Sequence, residues 1–267
     1  MRGMLLKIST GIAILRNFWP RFLRQVGGHH RFASPAEVEK AELATYRAYL
    51  QRGMIVFDVG ANVGSITLLF SKLVGDGGQV HAFEAGRVVF ARLKSVCQMT
   101  EHSNIVLNHM ALAEAEGIRD LYTYGQSYLS WSSLAERPLH KYGIKAQIEG
   151  TEKIITTTID SYCQKNGIDR IDLLKIDVEG AEYQVLIGAQ RMLQEKRIGC
   201  CVFEFGQTTF DMGNDPNEIE NYLTQLGYHI RNVVKDNPNF PGRANAQSAR
   251  FSMHIATPQI TPQVVKG

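Results

Sequence analysis

The chain has 267 residues, of which 44% are hydrophobic, enough to bury a sizeable core and too many for global disorder. Lys and Arg number 29 against 26 Asp and Glu, a net charge of +3. That balance argues against nucleic-acid binding by the chain as a whole.

The first 33 residues hold no Asp or Glu. Met4, Ile8, Ile12, Leu15, Trp19, Phe22 and Val26 recur in steps of three and four, a helical stripe flanked by Arg2, Lys7, Arg16, Arg21 and Arg24. Gly11 and Pro20 interrupt it. This favours a helix packed over the following domain, as a lid or a contact between two copies, over one lying on an anionic membrane surface. The uncharged run between Lys7 and Arg16 falls far short of the ~20 apolar residues of a membrane span. No small-residue cleavage site follows it, so the chain reads as cytoplasmic, with peripheral membrane contact as the alternative. Ser34-Pro35-Ala36-Glu37 then opens a second helix with a capping box, ending near Gly53.

From Met54 onward, strand-like runs and helical patterns alternate. Strands are expected at Ile55–Val59, Gln79–Phe83, Ile105–His109, Ile171–Ile176 and Gly199–Phe205, and helices at Ser65–Leu73, Val88–Met99, Ile159–Lys165 and Glu182–Glu195. Buried-looking strands separated by helices indicate a doubly wound α/β fold with a mainly parallel sheet covered on both faces. Between Ile118 and Ile159 the pattern becomes that of a hairpin, Leu121–Tyr124 with Ile154–Thr158, around a polar, Ser-rich loop. Asp215-Pro216-Asn217-Glu218 opens a helix ending at Gly227, and Tyr228–Val234 and Phe251–Ala256 close the sheet. The connection from Lys235 to Arg250 is long for a compact domain, so a functional lid or disorder is expected there. The resulting division is a helical extension (1–53), one α/β domain (54–258) with an insertion (118–159), and a tail (259–267). Cys97, Cys163, Cys200 and Cys201 form no C-x-x-C pair or zinc pattern and are expected to be reduced, structural thiols.

Val56-Phe57-Asp58-Val59-Gly60 reads as a strand entering a tight turn, with Gly60 and Gly64 bracketing that turn before a helix. Missing side chains let backbone approach a ligand, and the helix start offers N–H groups. Glu84 ends the next strand, 84 − 64 = 20 residues beyond Gly64, where an acid can accept hydrogen bonds from both ribose hydroxyls. The dinucleotide fingerprint also places an acid there but requires G-x-G-x-x-G. Here the spacing is G-x-x-x-G, and the phosphate loop is absent as well. Asp58 is expected to face the ligand. A carboxylate there would crowd a pyrophosphate but suits a cofactor carrying a sulfonium and an ammonium. Clefts at such strand ends are where these folds bind ligands.

The segments Phe57-Asp58-Val59-Gly60-Ala61-Asn62-Val63-Gly64, His81-Ala82-Phe83-Glu84, Thr158-Ile159-Asp160-Ser161-Tyr162 and above all Leu174-Lys175-Ile176-Asp177-Val178-Glu179-Gly180-Ala181-Glu182 resemble FkbM-type methyltransferases. The resemblance covers roughly Met54 to Phe205. It implies a seven-stranded, Rossmann-like methyltransferase sheet, S-adenosylmethionine as donor, and a hydroxyl of a sugar, glycolipid or secondary metabolite as acceptor. It also implies that a serine of Ser130-Trp131-Ser132-Ser133 lies near the cofactor. From its residues alone, that stretch is a polar loop with an aromatic that could cover a ligand. One departure is Glu84-Ala85-Gly86-Arg87, where members commonly carry Glu-Pro-Asn-Pro: the ribose acid is kept and the loop beside it altered. The candidate cofactor-binding residues are Asp58, Gly60, Asn62, Gly64, Glu84 and Ser133.

Methyl transfer from a sulfonium is an in-line displacement on an activated donor, so orientation and exclusion of water carry much of the catalysis. An alcohol acceptor must also lose its proton, to a base or with help from a metal. Asp177 and Glu179, beyond the strand Ile171–Ile176, are the candidate catalytic pair, and alternation sends both to one side if the chain stays extended. Either could be the base, or together they could hold a divalent cation. The plainer reading makes them caps of the helix after Gly180. No third carboxylate is evident, so no metal ligand is assigned. Lys175 inside an apolar run needs a partner, Asp58 or Glu204, unless it snorkels to the strand end. Glu204 could equally line the acceptor pocket. The isolated His109, His140 and His254 are left aside. The sequence thus reads as an O-methyltransferase. Its rivals are a nitrogen or carboxyl methyltransferase of the same fold and a non-catalytic binding protein, the last disfavoured by the intact Asp58, Gly60, Gly64 and Glu84.

Overall fold

The computed structural model describes residues 32–259 except 101, 126, 127, 129 and 130. The basic stripe from Met4 to Val26, the tail beyond 259 and Ser130 lie outside the described residues.

Helix α1 (Pro35–Tyr49) starts as its residues dictate. The Ser34 hydroxyl accepts the Glu37 N–H, the Glu37 carboxylate accepts the Ser34 N–H at 2.8 Å, and Pro35 takes the first turn. Ten strands follow: β1 (Ile55–Val59), β2 (Gln79–Phe83), β3 (Ile105–Asn108), β4 (Ala111–Leu112), β5 (Gly117–Tyr124), β6 (Ile148–Thr157), β7 (Ile171–Ile176), β8 (Ile198–Phe205), β9 (Tyr228–Asn232) and β10 (Ser252–Pro258). Seven of them form one sheet in the order β3-β2-β1-β7-β8-β10-β9. Its neighbours pair in parallel except around β10, which is antiparallel to both β8 and β9.

The helices α2 (Ser65–Val74), α3 (Arg87–Gln98), α4 (Ile159–Asn166), α5 (Glu182–Ile187), α6 (Gln190–Gln194), α7 (Gln207–Asp211) and α8 (Pro216–Gln225) connect these strands. Consecutive residues of the central strands feed two different cores. Phe57, Leu174 and Phe203 pack with Val185, Leu186 and Leu223. Val56, Leu173 and Val202 pack with Val38, Tyr46, Phe70 and Val74. Alternation in the pleat thus buries both faces of the sheet, and α1 covers part of the second.

The remaining strands form a small sheet, β4-β6-β5. The expected hairpin is longer than its apolar residues suggested: Ile118 pairs with Ile155 and Leu121 with Glu152, and β6 begins at Ile148. Two-residue β4 and five-residue α7 are too short to show a period. The single helix expected over Glu182–Glu195 is two. A Cβ at Gly188 would overlap the Ala113 carbonyl oxygen. The Asp160 carboxylate accepts the N–H groups of Arg191 (2.8 Å) and Met192 (3.1 Å), starting α6 afresh. The connection over 235–250 is not disordered. Phe240 sits in the main core, stacked 4.4 Å from His254, whose Nε2 accepts the Phe240 N–H at 2.8 Å. All four cysteines are buried free thiols. No described helix is long and apolar enough to cross a membrane.

Candidate active site

The carboxyl ends of β1, β2, β7 and β8 converge on one edge of the large sheet. After β1 the chain turns sharply, with Gly60, Asn62 and Gly64 all at positive φ (77°, 50° and 92°). The Gly60 and Ala61 N–H groups both donate to the Phe83 carbonyl, at 3.0 and 2.9 Å. They are therefore committed to β2 rather than open to an anion. A Cβ on Gly60 would overlap the Asp177 carbonyl oxygen. The missing side chain thus lets two backbone segments meet, a use the sequence reading had assigned to a ligand. Glu84 fastens the turn from the other side. One carboxylate oxygen accepts the Asn62 N–H at 3.0 Å and the other the Gly86 N–H at 2.9 Å. Burial raises the Glu84 pKa, and those two N–H groups partly offset it. Each oxygen keeps a second acceptor position, and the residue is only half-buried.

Asp58 does not face a cleft, contrary to expectation. It is fully buried, accepts the Thr67 hydroxyl at 2.6 Å and pairs with Lys175 at 3.2 Å. The cause lies in register: β1 sets Asp58 beside Lys175 of β7. Lys175 also donates to the carbonyls of Gly60 (2.9 Å) and Val59 (3.4 Å) and lies 3.6 Å from Asp177. Of the two partners foreseen for it, Asp58 is taken and Glu204 is not. Burial disfavours the Lys175 charge, but Asp58, Asp177 and Glu42 outweigh it, and its pKa ends above the usual lysine value. Glu42 comes from α1, where it is buried and accepts the Tyr46 hydroxyl at 2.7 Å.

The turn after β7 carries the acids. The strand stops at Ile176 and Glu179 adopts φ 55°, so simple alternation does not place the pair. Such a conformation costs about 1–3 kcal/mol in a non-glycine residue and persists because neighbours hold it. Here Arg137 from the insertion holds it, donating to Glu179 at 2.9 Å and to Asp211 of α7 at 3.3 Å. Ser133 is buried and reaches the Glu179 carbonyl at 3.3 Å, so it joins the insertion to this turn. Asp177 has Lys175 on one side, and on the other Glu204, which leaves β8 beside it. Neither candidate caps α5. Its N-cap, Ala181, has no side-chain cap, and Glu182, its first residue, accepts the N–H groups of Val178 (3.0 Å) and Gly180 (3.2 Å) in the turn before it. Burial raises the Glu182 pKa to about 7.

The reading from sequence missed Arg137, Asp211, Thr67 and Glu42. Only Glu42 carried a local signal, its i, i+4 spacing from Tyr46 on one helix face. The other three find their partners through the tertiary fold. Among the described residues no group of three or more His, Cys, Asp or Glu is placed to hold a metal ion, which leaves the divalent-cation reading without support.

A doubly wound sheet with one reversed strand, a glycine turn clasped by the acid ending β2, and a second acidic turn beside it define a Rossmann-like methyltransferase. Residues 58–230 match the methyltransferase FkbM domain. The chain belongs to the FkbM methyltransferase family. It is 30% identical over 187 residues to the 31-O-demethyl-FK506 methyltransferase FkbM of Streptomyces tacrolimicus, covering 60% of this chain and 71% of that one. It is 27% identical over 193 residues to the hexuronic acid methyltransferase AglP of Haloferax volcanii, covering 71% and 70%. A solved FkbM methyltransferase from Methylobacillus flagellatus KT aligns at 14% identity with a TM-score of 0.45, over 95% of this chain and 60% of that one.

Proposed function

We propose that this methyltransferase moves a methyl group from S-adenosylmethionine to a hydroxyl of a sugar, glycolipid or secondary metabolite. The observation that carries this reading is the junction at Lys175. One ammonium ties the Gly60 carbonyl of the glycine turn to Asp177 of the acidic turn, which sets a carboxylate beside the place where the donor would lie. Glu84 would accept the ribose hydroxyls through its remaining acceptor positions. Asn62 and Gly64 would shape the turn against the nucleoside, and Ser133 would close the site from the insertion. The donor supplies an activated methyl group. The chain supplies orientation, exclusion of water by the insertion, and Asp177 as the acceptor of the hydroxyl proton. Glu179 suits that last role less, because Arg137 engages its carboxylate directly at 2.9 Å, whereas Lys175 stays 3.6 Å from Asp177.

The two curated relatives are named for 31-O-demethyl-FK506 and a hexuronic acid. The second name keeps a sugar carboxylate in view as an alternative acceptor. Incubation with methyl-labelled donor and fractionated lipid, glycan and small-molecule extracts tests both readings. Label in an alkali-stable ether is expected. Label released by mild alkali would indicate a methyl ester, and label only in amines or peptide would overturn hydroxyl transfer.

A further inference from the structure

Strands β7 and β8 run parallel with Ile176 beside Phe203, so the residues that follow, Asp177 and Glu204, leave adjacent strands side by side. That register brings the Glu204 carboxyl to the Asp177 carboxyl, where the two can share a hydrogen bond. Two carboxyl groups can share a hydrogen bond only if one keeps its proton. The surroundings assign that proton. Glu204 is 8% exposed, and the charges facing it are the acids Asp177, Glu179 and Glu182. Thr208 of α7 contributes a neutral hydroxyl at 3.5 Å, and β10 places Met253 alongside. Asp177 is more open, with 19% of its side chain exposed, and it has the Lys175 ammonium 3.6 Å away. Among the described residues, the cation on the neighbouring Glu179, Arg137, is engaged with Glu179 and Asp211.

We propose that Glu204 is a positioning residue for Asp177: its carboxyl donates a hydrogen bond to the Asp177 carboxylate and fixes it as the base for the acceptor hydroxyl. This rests on the methyl-transfer reading. The acceptor oxygen forms the new O–C bond while the C–S bond breaks, its electron pair going to sulfur. The hydroxyl proton passes to Asp177, and the Glu204 proton stays in place. Burial, then the charges of Asp177 and Glu179, push the Glu204 pKa well above the carboxylate range, in keeping with this assignment.

The test compares the wild-type chain with Glu204→Gln and Glu204→Leu. An amide still donates to Asp177, whereas leucine does not. In the pH profile of kcat/KM, Glu204→Gln is expected to leave the acid limb in place. Glu204→Leu is expected to move it up by about 1–2 pH units, the worth of one hydrogen bond to a charged group. A purely structural residue would lower Tm in both variants without moving that limb, and this result would overturn the proposal. Infrared difference spectra at neutral pH give a readout that needs no turnover. A protonated-carboxyl band present in the wild type and lost in Glu204→Gln is expected. An unchanged band would overturn the proposal even if Glu204→Leu fails to fold. Absence of methyl transfer from every acceptor, with the band lost as expected, would instead strike the functional reading and leave the proton on Glu204.

Discussion

The two halves of the site are built from different materials. Around the proposed donor turn the contacts run through main-chain groups: Gly60 and Ala61 donate to the Phe83 carbonyl, and the Asn62 and Gly86 N–H groups donate to the Glu84 carboxylate. Around the acidic turn they are side-chain pairs drawn from the insertion, α7 and β8: Arg137 with Glu179 and Asp211, and Asp177 with Glu204. A backbone frame fixes a shape that one invariant cofactor can use. A side-chain frame can be re-cut residue by residue, which would suit the half proposed to meet the acceptor. Lys175 is where the two halves are joined.

The sharpest way to break this division is to remove the joint. Lys175→Met leaves Asp58 fully buried without its ammonium, and breaking such a pair costs about 3–5 kcal/mol. Denaturant unfolding should show that loss, and donor affinity and turnover should fall together. A variant that loses turnover alone would mean the donor turn does not depend on the joint. Arg137→Met disturbs one half only. Its buried pairs predict a loss of about 2–3 kcal/mol, discounted because Glu179 is partly exposed. Turnover should drop while calorimetry finds donor affinity nearly unchanged, and a matching fall in both would blur the division.

Glu182 sharpens the comparison through pH. Its folded-state pKa of about 7 lies above the ordinary carboxylate value. Its favourable contribution is therefore complete below that ordinary value and is lost as pH rises through about 7. Between about pH 5 and about pH 8, Glu182→Gln should flatten the decline in unfolding free energy by on the order of 2 kcal/mol. An equal decline in both proteins would place the titrating group elsewhere. Glu84→Ala acts on binding rather than folding and should weaken S-adenosylmethionine binding by about tenfold or more, since hydrogen bonds to a charged acceptor contribute ~1.5–3 kcal/mol each. An unchanged dissociation constant would mean that Glu84 only clasps backbone.

The same division explains what could be read from the sequence. Gly60, Gly64 and Glu84 announce themselves by spacing along the chain, because strand–turn–helix geometry is local. The strands Ile55–Val59, Gln79–Phe83 and Ile171–Ile176 fall where their apolar runs placed them. The orientation of Asp58 was misjudged because it depends on register with β7, more than a hundred residues away. Arg137 lies in a polar insertion without a period, and only the folded chain brings it to Glu179. Phe240 shows the same limit: it and Ala249, two apolar residues in a polar connection, anchor the segment in the core, too few to register as a pattern.

The central claim is that Asp177, held beside the donor turn, takes the acceptor's proton. Asp177→Asn tests it most directly, with single-turnover methyl transfer and donor affinity measured on one preparation. The expected outcome is a rate lowered by about 10²- to 10⁴-fold with the S-adenosylmethionine dissociation constant nearly unchanged. A rate equal to that of the wild type would contradict the account.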